Sequence, residues 1–274
     1  QTAVTIVTAG IASSLFGGSS LVFWTAIITG ICVLILIIGR YKILDSLMKI
    51  IVLGLTISTI IAVALAVKPT STIDFSQLIP SNATSIAFLI AFMGWMPAPL
   101  DISIWHSVWT VEKKKLDPTI TFQQSRFDFN VGYITTIILA IGFLSLGALV
   151  MFESGEHFSA KGEEFANQLI NMYTYSLGNG AKLIIGIAAL TTMFSTTLTT
   201  LDASPRVMHK SFEIIAGKKH KKGYLLWLGI LVAGTLSIFF FFISEMGLLI
   251  KIATILSFLT APFYAFFNYK FNFK

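Results

Sequence analysis

Eight apolar stretches follow one another along the chain, separated by short polar and often basic segments. They cover residues 1–16, 20–39, 50–67, 83–109, 131–152, 181–201, 224–243 and 247–267. Most approach the roughly 20 residues that a helix needs to cross a hydrocarbon slab about 30 Å thick. None alternates apolar and polar residues over about ten positions, as an outer-membrane strand would, so each stretch predicts a helix. The first is short and opens directly at Gln1, without an initiator Met or a basic leader. We therefore expect a fragment whose earlier residues precede Gln1, and read no targeting segment.

Composition narrows the class. Of the 274 residues 55% are apolar and only 12% charged, with mean hydropathy +0.82, whereas a soluble domain carries about 25% charged residues. A soluble globule, a disordered chain and a disulfide scaffold are excluded together, the last also because Cys32 is the single cysteine. The predicted fold is all-α: a polytopic membrane helical bundle, read as a single transmembrane domain over residues 1–274.

The net charge of +6 matters through its distribution. Arg40, Lys42 and Lys49 follow the second stretch, Lys113–Lys115 and Arg126 the fourth, six basic residues from Arg206 to Lys222 the sixth, and Lys270 and Lys274 the eighth. Alternate loops thus hold most of the 19 basic residues, while the other side gathers Glu153, Glu156, Glu163 and Glu164. Basic loops are retained in the cytoplasm, which predicts a cytoplasmic C-terminus and a first stretch running outward. No basic patch is interleaved with aromatics in a soluble domain, so nucleic acid is not an expected partner. The run Lys218–Lys222 reads as a topology determinant, with anionic headgroups as the alternative. The Glu-rich loop reads as a short helix on the outer side.

The fourth stretch carries the chemistry. It reads Met93-Gly94-Trp95-Met96-Pro97-Ala98-Pro99-Leu100-Asp101-Ile102-Ser103-Ile104-Trp105-His106-Ser107. Two prolines two residues apart, preceded by Gly94, cannot sit in a continuous helix, since each lacks an N–H and its ring clashes with the carbonyl one turn back. A break over 94–100 near mid-span leaves backbone groups that must face protein or a wet cavity. Asp101 follows at once, and a carboxylate there costs about 2.5–3.5 kcal/mol on insertion scales, so it needs a partner or a task. Discontinuous helices of this kind build the midplane sites of many secondary transporters. The plainer alternative is a proline kink with Asp101 paired to a neighbouring helix.

Gly94, Met96, Pro97, Ala98 and Asp101 are the candidate binding residues; Met96 offers a soft thioether, Asp101 a hard oxygen. His106 and Ser103 are candidate proton-relay or pathway groups, although His106 lies five residues from Asp101, off its helical face. In the sixth stretch Thr196 and Thr197 belong to a hydroxyl-rich run, 191–200, that suits either close helix packing or a polar pathway wall. Asp202 reads as an interfacial charge. In the eighth, Thr254 and Ser257 share a face and are candidate site wall. No Walker loop, zinc-protease motif, paired cysteines or nucleophile elbow occurs, so no enzyme is expected.

On these residues the chain resembles the Nramp family of divalent metal transporters, in a divergent bacterial branch. The resemblance implies the LeuT-like fold, two inverted repeats of five helices whose first helices are broken at the site, with the present chain covering the third to tenth helices. The family's sixth helix carries Met-Pro-His and then His-Ser. Met96-Pro97 matches the opening with Ala98 in the histidine's place; anchoring on His106-Ser107 instead puts Asp101 there and Pro99 in place of the ligating methionine. Either arrangement moves the expected preference from manganese or iron towards harder ions such as magnesium. Residues 194–199 resemble the family's eighth-helix Ser-Ser-Thr run, and the first broken helix would precede Gln1.

The expected function is therefore secondary import of a divalent metal ion, proton- or ion-coupled, across a bacterial cytoplasmic membrane. The ion would be transported cargo rather than a resident cofactor, and the lipid bilayer the expected surroundings. An alternative is a LeuT-fold permease for an organic solute such as an amino acid, with Trp95 and Trp105 in its pocket. Another is a membrane subunit or sensor that transports nothing.

Overall fold

The computed structural model describes residues 1–17, 20–38, 41–67, 80–96, 98–99, 101–152, 159, 161–218, 220, 222–242 and 245–272, with side chains for all of these except 41–51, 116, 151, 242 and 271–272. The described residues are mostly helical and contain no strand. Ten α-helices follow in order: α1 Thr2–Phe16, α2 Leu21–Ile38, α3 Tyr41–Ala66, α4 Ala83–Trp95, α5 Ile102–Leu116, α6 Phe122–Leu146, α7 Gly162–Leu177, α8 Lys182–Ala216, α9 Gly223–Phe242 and α10 Met246–Asn272. A π-helical turn, Gly147–Phe152, extends α6. Helices over 21–38, 122–150, 179–216, 223–241 and 246–270 are long and apolar enough to cross a membrane, and 2–16, 52–66 and 83–95 are shorter apolar helices. The protein is a polytopic helical bundle.

Several boundaries differ from the sequence reading. α3 begins at Tyr41, nine residues before its apolar core, because a helix can run past the slab once its side chains are polar. α8 continues to Ala216 through Pro205. α7 takes in Glu163 and Glu164 of the segment read as a short outer helix, but it is a sixteen-residue helix that carries buried Ile170, Met172 and Tyr173. Its apolar positions occupy one face rather than a continuous run, so hydropathy alone passes over it.

The chain forms two compact units. The first comprises residues 1–69 and 142–247 and is organised around α1, which packs on α2, α7, α8 and α9 and is buried from Thr2 to Ser13 with one break. Small residues allow this. A Cβ on Gly10 would collide with the Gly162 carbonyl of α7, and one on Gly186 of α8 would collide with Leu15. Hydrogen bonds add to the packing: Thr8 and Thr197 hydroxyls meet at 2.8 Å across α1 and α8, Ser14 donates to Asn167 at 2.6 Å, and Thr59 meets the Tyr173 hydroxyl at 2.8 Å. Large apolar side chains point outward, among them Leu34, Ile60 and Phe240, as a lipid-facing surface requires.

The second unit comprises residues 70–141 and 248–274. α4 starts at Asn82, whose side chain accepts from the Ser85 N–H at 2.7 Å, an N-cap that satisfies one of the free first-turn donors. α5 ends in Lys113, Lys114 and Lys115, cations placed where the helix dipole favours them. α6 opens on a reciprocal cap: Gln124 Oε1 accepts from the Thr121 N–H at 2.9 Å, and the Thr121 hydroxyl accepts from the Gln124 N–H at 3.2 Å.

Candidate functional site

The fourth apolar stretch is two helices. α4 ends at Trp95 and α5 starts at Ile102. Met96 leaves the helix with φ −111° and ψ 122°, its N–H still bonded to the Phe92 carbonyl at 3.0 Å, and Asp101 stands immediately before α5. Pro97 and Leu100 lie outside the described residues; Ala98 and Pro99 are half-buried and non-helical. Gly94 lies inside α4, so the break starts two residues later than expected. The glycine serves packing instead: it is buried, and a Cβ there would strike the Thr254 carbonyl of α10. Small residues at such crossings let two backbones approach.

Asp101 takes up the start of α5 through its backbone, its carbonyl accepting from the Ile104 N–H at 2.9 Å and the Trp105 N–H at 3.3 Å. Its side chain makes no capping bond, and its Oδ1 is buried without a hydrogen-bond partner among the described residues. The carboxylate thus sits in the favourable field of a helix N-terminus, with one oxygen removed from water and left free. Among the described residues of the second unit nothing pairs with that oxygen.

α10 runs beside both halves of the broken helix. Ser257 accepts from the Trp95 indole N–H at 3.0 Å, and the Asn268 amide reaches the Ser103 hydroxyl at 3.4 Å. Eleven residues separate the two contacts, about 16 Å of helix. Pro262 falls inside that length and has no N–H for the Phe258 carbonyl, so a second backbone oxygen loses its usual donor here. Thr254 is buried and its hydroxyl turns back on the Ile250 and Lys251 carbonyls at 2.9 and 3.0 Å, leaving no hydrogen to offer a guest.

The other expected residues separate. His106 stacks edge-on against Phe129 at 5.1 Å and, with Ser103, lines a cleft towards α6 that does not include Asp101. Thr197 is buried against Thr8, which is the packing role; Thr196 donates to the Thr192 carbonyl at 3.0 Å. Trp105 meets Trp109 edge-on, ring centroids 6.3 Å apart. Among the described residues no three His, Cys, Asp or Glu side chains gather as a metal-binding group.

Asp202, read as an interfacial charge, is buried and paired. It is 5% exposed, held by Arg206 Nε at 2.8 Å to both carboxylate oxygens and by the Tyr224 hydroxyl at 2.8 Å; Arg206 also lies 4.8 Å over the Tyr224 ring. The i, i+4 pair spans Pro205, where the α8 backbone loses a bond. The Asp-x-x-x-Arg spacing around that proline was the available signal, since those positions face each other on a helix.

The Nramp family model, described as natural resistance-associated macrophage protein-like, matches residues 2–272. The chain belongs to the Nramp family. It is 38% identical over 249 residues, 88% of its length, to a Pasteurella multocida (strain Pm70) protein described as uncharacterized, and spans 57% of that protein's length. No solved structure matches it. Nramp membership and the long apolar helices together make this a multi-pass membrane protein of a transporter family, with no enzymatic role implied.

Proposed function

We propose that the full-length protein moves a divalent metal ion through the bilayer by alternating access, with the break between Trp95 and Ile102 as part of its binding site. One observation carries the reading: Asp101 stands at that break with a buried, unpartnered carboxylate oxygen. A carboxylate with an oxygen left unpartnered inside an apolar span is costly, and a cation passing through offsets that cost. Backbone carbonyls freed at the break and beside Pro262 would supply further oxygens, as in discontinuous transporter helices. Oxygen donors favour a hard ion of the magnesium or manganese kind. Met96 adds a thioether for a softer ion, and Ala98 adds nothing. The donor set is incomplete among the described residues, so other ligands would come from elsewhere in the protein.

The finer reading follows the same line. A LeuT-like arrangement, cytoplasmic basic loops, a bacterial inner membrane, inward movement and ion coupling are the parts that the break, the charge distribution and the family support. The organic-solute alternative loses ground because the Trp95 indole N–H is already engaged by Ser257. The test is uptake of manganese and magnesium into vesicles carrying the full-length protein. Asp101→Ala and Asp101→Asn should each lower uptake at least ~10-fold at unchanged membrane insertion, a loss equal to about 1.4 kcal/mol of ion binding. Unchanged uptake in Asp101→Ala combined with Met96→Ala would remove the site assignment.

A further inference from the structure

At the basic-loop end of the second unit, α5, the start of α6 and the end of α10 enclose an open cleft of about 550 Å³. Its lining has two characters. Phe122 and Phe129 form an apolar wall, and Phe122 is 79% exposed. Ser125 and Arg126 lie between them on the same face of α6, and Ser103, His106 and Ser107 of α5 with Asn268 of α10 line the rest, with no carboxylate among the lining residues. Some of these groups are already engaged. The Ser107 hydroxyl donates to the Ser103 carbonyl at 2.7 Å, and Asn268 leans on Ser103. Arg126 and the Ser125 hydroxyl have no hydrogen-bond or ion-pair partner among the described residues, and Lys113, Lys114 and Lys115 crowd the nearby end of α5.

We infer that this cleft binds an anionic phospholipid. An unpaired guanidinium beside a free hydroxyl matches a phosphodiester, because a planar fork donates two parallel N–H bonds to two oxygens. The exposed Phe122 beside it, together with half-buried Phe129, matches an acyl chain, and basic residues near a membrane surface attract anionic headgroups. A soluble phosphate would use the donors and leave the aromatic wall exposed, so a lipid fits the whole lining better. The site is separate from Asp101 and does not depend on metal transport. Because Ser103 and His106 sit on the helix that starts at Asp101, a bound lipid would rest on the half-helix after the break.

The experiment uses the full-length protein in a neutral detergent, with retained lipid read by native mass spectrometry and the unfolding midpoint followed in parallel. Phosphatidylglycerol should stay bound and raise the midpoint, while phosphatidylcholine and millimolar inorganic phosphate should do neither. Arg126→Gln should weaken phosphatidylglycerol retention ~10-fold and Arg126→Lys less, since the charge survives and the fork does not. Ser125→Ala gives a milder version should Arg126→Gln fail to fold. Lys222→Gln, on the other basic turn, should change nothing. Equal retention of phosphatidylcholine, an equal response to inorganic phosphate, unaltered retention in the Arg126 and Ser125 variants, or an equal loss in Lys222→Gln would each overturn the inference.

Discussion

Gly94→Ala tests whether α4 and α10 are held together at the edge of the break. The added Cβ would overlap the Thr254 carbonyl oxygen, come within 2.8 Å of its carbon and reach 3.2 Å from the Phe258 nitrogen. All three atoms are backbone, so no rotamer change clears the methyl and the two helices must separate. Overpacking of this kind costs about 1–3 kcal/mol. Separation also stretches the Trp95–Ser257 hydrogen bond, now 3.0 Å, worth about 1 kcal/mol. Against this, alanine is favoured over glycine in a helix by about 1 kcal/mol. The net expectation is a loss of about 2 kcal/mol, or an apparent midpoint about 4–8 °C lower at the usual 2–4 °C per kcal/mol.

Gly30→Ala in α2 supplies the control. A Cβ there meets nothing within 4 Å and the backbone is ordinary helix, so the variant should be neutral or slightly stabilised. The assay is thermal unfolding of full-length protein in detergent, followed by intrinsic tryptophan fluorescence, which also reports on Trp95. The same metal uptake assay shows whether spreading the helices disturbs transport. If Gly94→Ala unfolds at the parent temperature while Gly30→Ala behaves as expected, the close approach of α4 to α10 is not as described.

Four other substitutions, at two contacts, probe the first unit. A double-mutant cycle on Thr8→Val and Thr197→Val should give a coupling of about 0.6 kcal/mol, with about 1.7 as the upper end for hydrogen bonds inside membranes; zero coupling in denaturant unfolding would mean that the 2.8 Å contact contributes only packing. Asp202→Ala should cost about 3 kcal/mol, the lower end for a broken buried pair because Arg206 is 34% exposed. Tyr224→Phe should cost about 1.5 kcal/mol for one bond to a charged group, so a larger loss from Tyr224→Phe than from Asp202→Ala would reverse the account of that cluster.

The sequence by itself determined the membrane setting, the helical class and the place of the break. Hydropathy acts residue by residue on the exchange between water and hydrocarbon, so a run of apolar side chains near 20 long announces a span without reference to any neighbour. Proline chemistry is equally local: Pro97 and Pro99 lack the N–H that a helix needs, and α4 and α5 fall on either side of them. Family membership was also legible, in Met96-Pro97 and His106-Ser107.

What required the fold were relations between distant residues. Thr196 and Thr197 are adjacent in an unbroken hydroxyl run, yet only Thr197 is buried against Thr8, because helix rotation assigns neighbouring positions to different faces. Asp202 has the composition of an interfacial charge and became a buried pair through Tyr224 of α9, 22 residues away. Gly94, expected in the break and among the binding residues, lies inside α4 and packs closely against Thr254. The α10 contacts that flank the break, Ser257 and Asn268, join residues more than 160 positions apart. Their pairing depends on three-dimensional packing, which no local propensity encodes.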